Sequence, residues 1–351
     1  MFNFKILPDS KQLDSLVLLR GVAVIMVCFC HFGFALTEGH IFGPLFACFD
    51  HYGQYGVHVF FVISGFVIPY SLFKGKYHIR HYGRFLYKRL LRLHPPYIAA
   101  LALTLAIMFL SYKARHMAYP ENMLSILKSL IYFHFPADNP VFWTLNIEAQ
   151  YYLLIGLLYA LLMRYPKMAL YVVLPGLLYI SQTGIAHTVT LFSFLVFFLV
   201  GTIGFMIYTN NGSPAVNGTV LVVLLAYSAF YYEFPSFVAA LFTIGFILFF
   251  RLPVSSILQF PGKISYSIYL IHFPIGIKLI NLLKPKMSIS NSWILFFVAT
   301  FLTFFCAWLF YKVFEDYSEK ISKRIKYKPE AKESFPQQAL APDLASLNSV
   351  R

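Results

Sequence analysis

Apolar residues in this chain come in long runs. They do not show the alternation of a half-buried strand or the broken stripe of a soluble surface helix. Ten runs stand out, at about 16–36, 57–73, 95–112, 145–163, 169–183, 189–208, 217–232, 235–251, 264–283 and 292–311. Most approach the ~20 residues that carry an α-helix across the hydrocarbon of a bilayer, with 169–183 and 217–232 the short ones. The ~10-residue alternating segments of a transmembrane barrel are absent. The pattern predicts an all-α polytopic membrane protein of about ten transmembrane helices.

One stretch differs in kind. In HIRHYGRFLYKRLLRLHPPY (78–97) the cations Arg80, Arg84, Lys88 and Arg92 recur every four residues on one helical face, and Leu86, Leu90 and Leu93 lie on another. This spacing predicts an amphipathic cytoplasmic helix after the second span, lying on the inner leaflet and ended by Pro95-Pro96. With ten spans, 21 of the 28 Lys and Arg residues fall on the side of the N-terminus and five on the other, which predicts an N-in, C-in orientation. Lys5 and Lys11 precede the first run as in a signal peptide. No small-residue cleavage pattern follows and more spans do, so the first helix is expected to stay uncleaved. Residues 1–326 read as one integral-membrane domain, and the polar stretch 327–351 as a disordered cytoplasmic tail.

Composition agrees: 59% of the 351 residues are hydrophobic and 12% charged, against about 25% charged in a soluble domain. The formal net charge of +14 would suit nucleic acid. In a membrane protein, orientation and anionic lipid account for it, and no nucleic-acid partner is expected. Cys28, Cys30, Cys48 and Cys306 form no CxxC pair and read as packing residues. No metal site and no tightly bound cofactor are expected.

The chemistry lies in polar groups stranded inside the spans, because an ionisable side chain there is costly and normally faces a cavity or a partner. Arg20 and His31 are eleven positions apart, about 16 Å along a helix and within about 20° of the same direction. The alternatives are an arginine reaching headgroup phosphates and a histidine bonding between helices. Glu148 lies about one turn inside the fourth span, where His31 or an arginine could partner it or water could solvate it. Trp143, Tyr151 and Tyr152 beside it suit an interface or a sugar-stacking wall. Arg89 and Arg92 are neighbours at i, i+3, able to grip one phosphate or simply to meet anionic lipid. Ser64-Gly65 permits close helix approach in mid-span, and Ser64 can hydrogen-bond a ligand. Ser265, Tyr269 and His272 share a face ahead of Pro274, which frees a backbone carbonyl.

Taken in order, Arg20-x10-His31, FFVISGFVI, RLLR before Pro-Pro, WTLNIEAQYYLL, SYSIYLIHFPI and the closing VFEDYSEK resemble the acyltransferase-3 family of membrane-bound O-acyltransferases, over about residues 13–317. The resemblance implies a ten-helix enzyme of the bacterial cytoplasmic (inner) membrane that O-acylates glycans or glycosylated metabolites. It implies His31 and Glu148 as catalytic residues, with His31 either a general base or a transient acyl carrier. It also implies Arg20, Arg89 and Arg92 as the residues that engage acyl-CoA, acetyl-CoA being the expected donor. Ser64, Trp143, Tyr152 and His272 complete the expected substrate-binding set, with acyl-CoA, a carbohydrate acceptor and membrane lipid as partners. Asp14 stands three residues further from Arg20 than in the family's usual LDGLRG, and His58 stands where an acidic residue is common. The rival reading is a multi-pass transporter that uses the same Arg, His and Glu groups as a substrate or proton path.

Overall fold

The computed structural model describes residues 9–37, 42–250, 252–288 and 291–327. Lys5, Arg251 and the tail after residue 327 lie outside the described residues. Helices α1 (Asp9–Leu36), α2 (Gly43–Gly53), α3 (Gly56–Lys74), α4 (Tyr82–Ala114), α5 (Met123–Leu130) and α6 (Trp143–Arg164) form the first half. Then come α7 (Pro166–Ile180), α8 (Leu195–Tyr208), α9 (Pro214–Tyr231), α10 (Phe234–Phe249), α11 (Ser256–Lys263), α12 (Ser265–Lys286) and α13 (Ser292–Arg324). Among the described residues there is no strand, seven helices are long and apolar enough to cross a membrane, and α7, α8 and α10 are shorter apolar helices. The chain is an all-α, multi-pass membrane protein.

Helix α2 had no counterpart among the expected spans. Its eleven residues are too few, and too interrupted by Asp50 and His51, to read as one. It leads into α3 and folds back along the second half of α1, where Cys30 Sγ donates to the Asp50 carbonyl at 3.2 Å and Phe29 meets Phe49 at 5.2 Å between centroids. Helix α1 is thereby packed against α2, α3, α11, α12 and α13 and forms the axis of the bundle.

Prolines inside the helices show how an apolar interior treats freed backbone. A proline lacks the N–H that would bond the carbonyl four residues earlier, and in a bilayer that carbonyl must find a donor from elsewhere. Pro274 frees Leu270 O, which accepts from Nδ2 of the fully buried Asn139 at 3.1 Å. Pro69 frees Gly65 O, which Thr202 Oγ1 of α8 approaches at 3.2 Å. Thr202 can reach it because α3 and α8 cross almost backbone to backbone. A β-carbon at Gly65 would come within 2.1 Å of Phe198 O, and one at Gly201 within 2.1 Å of Val62 O.

The basic segment after α3 corrects one expectation. It is helical, but it does not end at Pro95-Pro96 and is not a separate surface helix. Helix α4 runs unbroken through both prolines for 33 residues, about 50 Å. Tertiary bonds hold it across the break: Tyr97 donates to Ser129 O at 2.5 Å, and Tyr266 of α12 donates to Leu93 O at 2.8 Å. Phe85 is fully buried and Arg89 is 9% exposed, so this basic helix faces protein and not lipid alone.

The crossing of α3 and α8 makes a direct prediction. Gly65→Val should prevent recovery of monodisperse protein in size-exclusion chromatography. Thr202→Val should fold but lose about 1–3 kcal/mol by removing the buried hydroxyl that Phe198 O, Gly65 O and the Tyr151 hydroxyl share, seen as a lowered Tm.

Candidate active site

Helices α1, α3, α4, α6, α12 and α13 line a partly open cavity of about 130 Å³ between them. From α1 comes Arg20, from α3 Ser64 among apolar residues, and from α4 Arg89 and Arg92. Helix α6 supplies Thr144, Glu148 and Tyr152, helix α12 supplies Ser265, Tyr266 and Tyr269, and α13 supplies Glu315. The mostly apolar wall of α3 makes the charged groups opposite it the dominant local field.

Arg89 is the most firmly held of the cations. Its guanidinium donates from Nη2 to Ser71 Oγ at 2.5 Å and lies 5.6 Å from the ring centroids of both Phe85 and Tyr152. Its Nε is buried and has no partner among the described residues. A planar guanidinium clamped between two rings keeps its free edge aimed in one direction, as a flexible lysine would not. Arg92, one turn on, is only half-buried and shares the cavity wall.

Two carboxylates balance these arginines. Glu148 accepts from the hydroxyl of Tyr152, four residues on along α6. Glu315 is 6% exposed and accepts from both the backbone N–H and the hydroxyl of Ser267, at 3.1 and 2.5 Å. Glu315 closes a π-helical turn at Tyr311–Glu315 in α13, and such wide turns often mark functional sites. Glu315 lies within the closing VFEDYSEK, where residue spacing alone assigns it no role. A glutamate just past the last apolar run, ahead of the last basic cluster, was the signal available.

The eleven-residue spacing of Arg20 and His31 is realised as one face of α1 turned toward α12. Arg20 shares the cavity with Ser265 and Tyr266, while His31 lies beside His272, ring centroids 5.4 Å apart. His31 also packs edge-on against Phe273 at 4.7 Å. His272 is fully buried and directly precedes a second π-helical turn, Phe273–Ile277, at Pro274. Arg20, Ser64, Arg89, Arg92, Glu148 and Tyr152 thus share one cavity; His31, His272 and Trp143 do not line it. Tyr269 connects the two groups, since it lines the cavity and its ring lies 5.8 Å from that of His272. Its hydroxyl is held by Val141 O at 2.9 Å and Thr144 Oγ1 at 2.8 Å.

The aromatics around Glu148 divide differently from the expected wall. Trp143 packs on Phe194 at 5.3 Å, and Tyr151 stacks on Phe198 at 4.1 Å inside the core. Only Tyr152 of the three reaches the cavity. Lys278, an unexplained charge within the ninth run, forms an ion pair with Asp138 at the loop before α6.

The acyltransferase-3 family model, described as an acyltransferase domain, matches residues 13–312. No curated protein and no solved structure matches the chain. The matched span takes in the first-helix Arg20 and His31, both α4 arginines, Glu148 and the α12 tyrosines and histidine, and it covers most of the folded chain. The chain belongs to the acyltransferase-3 family.

Proposed function

We propose that this acyltransferase takes an acyl group, acetyl in the simplest case, from cytoplasmic acyl-CoA and transfers it to a hydroxyl of a carbohydrate acceptor on the far side of a bacterial cytoplasmic membrane. The orientation is N-in, C-in, supported by the cation asymmetry of the loops. The observation that carries the reading is the gathering of Arg20, Arg89 and Arg92 around one cavity whose wall holds the carboxylates Glu148 and Glu315, the nearby Glu319 being paired with Lys323. Charged groups in an apolar interior are expensive unless matched, and an anionic ligand supplies what the two carboxylates do not.

Arg89 and Arg92 receive the donor's phosphates, Arg89 pre-oriented by Ser71, Phe85 and Tyr152. The ~16 Å rise from Arg20 to His31 matches the reach of an extended pantetheine arm, with Ser64 and the α3 wall along its path. His31 acts on the acceptor hydroxyl, as general base or as acyl carrier. Glu148 sits with the arginines and Tyr152, so its role in this scheme is to hold the arginine charges in register when no donor is bound.

Two measurements test the scheme. With purified protein in nanodiscs and radiolabelled acetyl-CoA, His31→Ala should lower acyl transfer at least ~10²-fold with no loss of folded protein. Transfer near the wild-type rate by that variant overturns the proposal. Arg92→Ala should raise the KM for acyl-CoA about tenfold or more, the cost of one charge-assisted contact, while leaving kcat near wild type. An unchanged KM removes Arg92 from the donor site.

A further inference from the structure

A general base normally has a group that holds its ring in the right tautomer, most often a carboxylate on its other nitrogen. Glu148 and Glu315, the carboxylates of the cavity, are engaged with Tyr152 and Ser267 on the arginine side. What faces His31 is another imidazole. The rings of His31 and His272 lie with centroids 5.4 Å apart and planes at 29°.

The protonation of His272 follows from its contacts. Its Nδ1 lies 2.8 Å from Tyr269 O. A carbonyl oxygen only accepts, so Nδ1 carries the ring proton, and in the neutral imidazole Nε2 is a bare lone pair. That Nε2 is buried and has no partner among the described residues. The surroundings offer it little else. Phe273 packs on both imidazoles and Phe32 lies 6.4 Å from His272, while the Tyr269 hydroxyl is committed to Val141 and Thr144. With roughly 1 Å from ring centre to ring atom at each end, an N–H···N bond of about 3 Å puts two imidazole centroids about 5 Å apart. The His31 and His272 rings lie stacked at about that separation with no hydrogen bond between them, so the bond forms only when the His31 ring turns its edge toward Nε2 of His272.

We propose that His272 is the positioning residue of His31: Nε2 of His272 accepts the N–H of His31, fixes that imidazole in one tautomer and leaves its other nitrogen bare toward the acceptor hydroxyl. The catalytic part of this inference rests on the acyl-transfer reading above. In the transfer the hydroxyl oxygen attacks the thioester carbonyl while its proton passes to the bare nitrogen of His31. The carbon–oxygen bond forms, the carbon–sulfur bond breaks, and the proton moves from His31 to the departing thiolate. His272 stays neutral throughout, its Nδ1–H on Tyr269 O.

The test combines an activity-independent readout with kinetics. Protein labelled with ¹⁵N-histidine in nanodiscs is examined by NMR, the His31 signals being assigned by their loss in His31→Gln. Wild type should show His31 in a single neutral tautomer. His272→Leu should show a mixture, and His272→Gln, whose amide oxygen replaces the Nε2 lone pair, should restore one form. In acetyl transfer, His272→Leu should lower kcat about a hundredfold with KM for acetyl-CoA unchanged, and His272→Gln should recover to within about tenfold of wild type. Equal tautomer populations in wild type and His272→Leu overturn the proposal, as does a mixture already present in wild type. A His272→Gln variant as slow as His272→Leu, with both retaining the wild-type Tm, also overturns it, since packing volume alone would then explain the loss. Failure of wild type to transfer from any acyl-CoA would refute the acyl-transfer reading instead, and the tautomer measurement would still decide whether His272 positions His31.

Discussion

Inside an apolar bundle every charge and every freed carbonyl needs a partner, because no solvent is present to serve as one. The placement of the helices follows from that requirement. Asn139 supplies the donor that Pro274 removes from α12, and Thr202 approaches the carbonyl that Pro69 frees on α3. Lys278 is matched by Asp138, and Glu315 by two donors from Ser267. Each of these contacts joins residues far apart in the chain, so satisfying polar groups and fixing the tertiary arrangement are the same event.

The cavity is where this matching is incomplete. Three arginines and two carboxylates share it, and the most firmly fixed arginine keeps a buried Nε without a partner among the described residues. A site that leaves positive charge in a low-dielectric setting attracts an anion strongly and does so without moving. The imidazoles lie beyond Tyr269, among aromatic rings and away from the arginines. The two halves suit different tasks. In the proposed scheme the charged half receives the phosphate-bearing donor, and the apolar half holds the imidazoles apart from the arginine charges.

Much of this was readable from residue spacing. Eleven positions at 100° each required Arg20 and His31 to share a face, and that face meets α12 in both places. The i, i+3 relation of Arg89 and Arg92 put both on one wall, and Gly65 stands at a close crossing. Three features were not readable. Helix α2 is too short, with Asp50 and His51 breaking its apolar run, to signal itself. The double proline that should have ended α4 is spanned by Tyr97 and Tyr266, whose partners lie in other elements. Trp143 and Tyr151 were grouped with Tyr152 by adjacency, but successive helical residues point about 100° apart, and only Tyr152 faces the cavity.

The sequence by itself determined the all-helical membrane class, the family, and the polar residues that a bilayer would not tolerate without a purpose, since each depends on local composition and helical period. Tertiary structure alone decided which of those residues meet. It put Glu148 with Tyr152 and the arginines, brought Glu315 into the same cavity from the far end of the chain, and set His272 against His31. The reason is physical: spacing fixes the direction of a side chain about its own helix axis, whereas its partner depends on which helices cross and at what depth. Those crossings are set by close approaches such as Gly65 on Phe198, which arise only when the whole bundle packs.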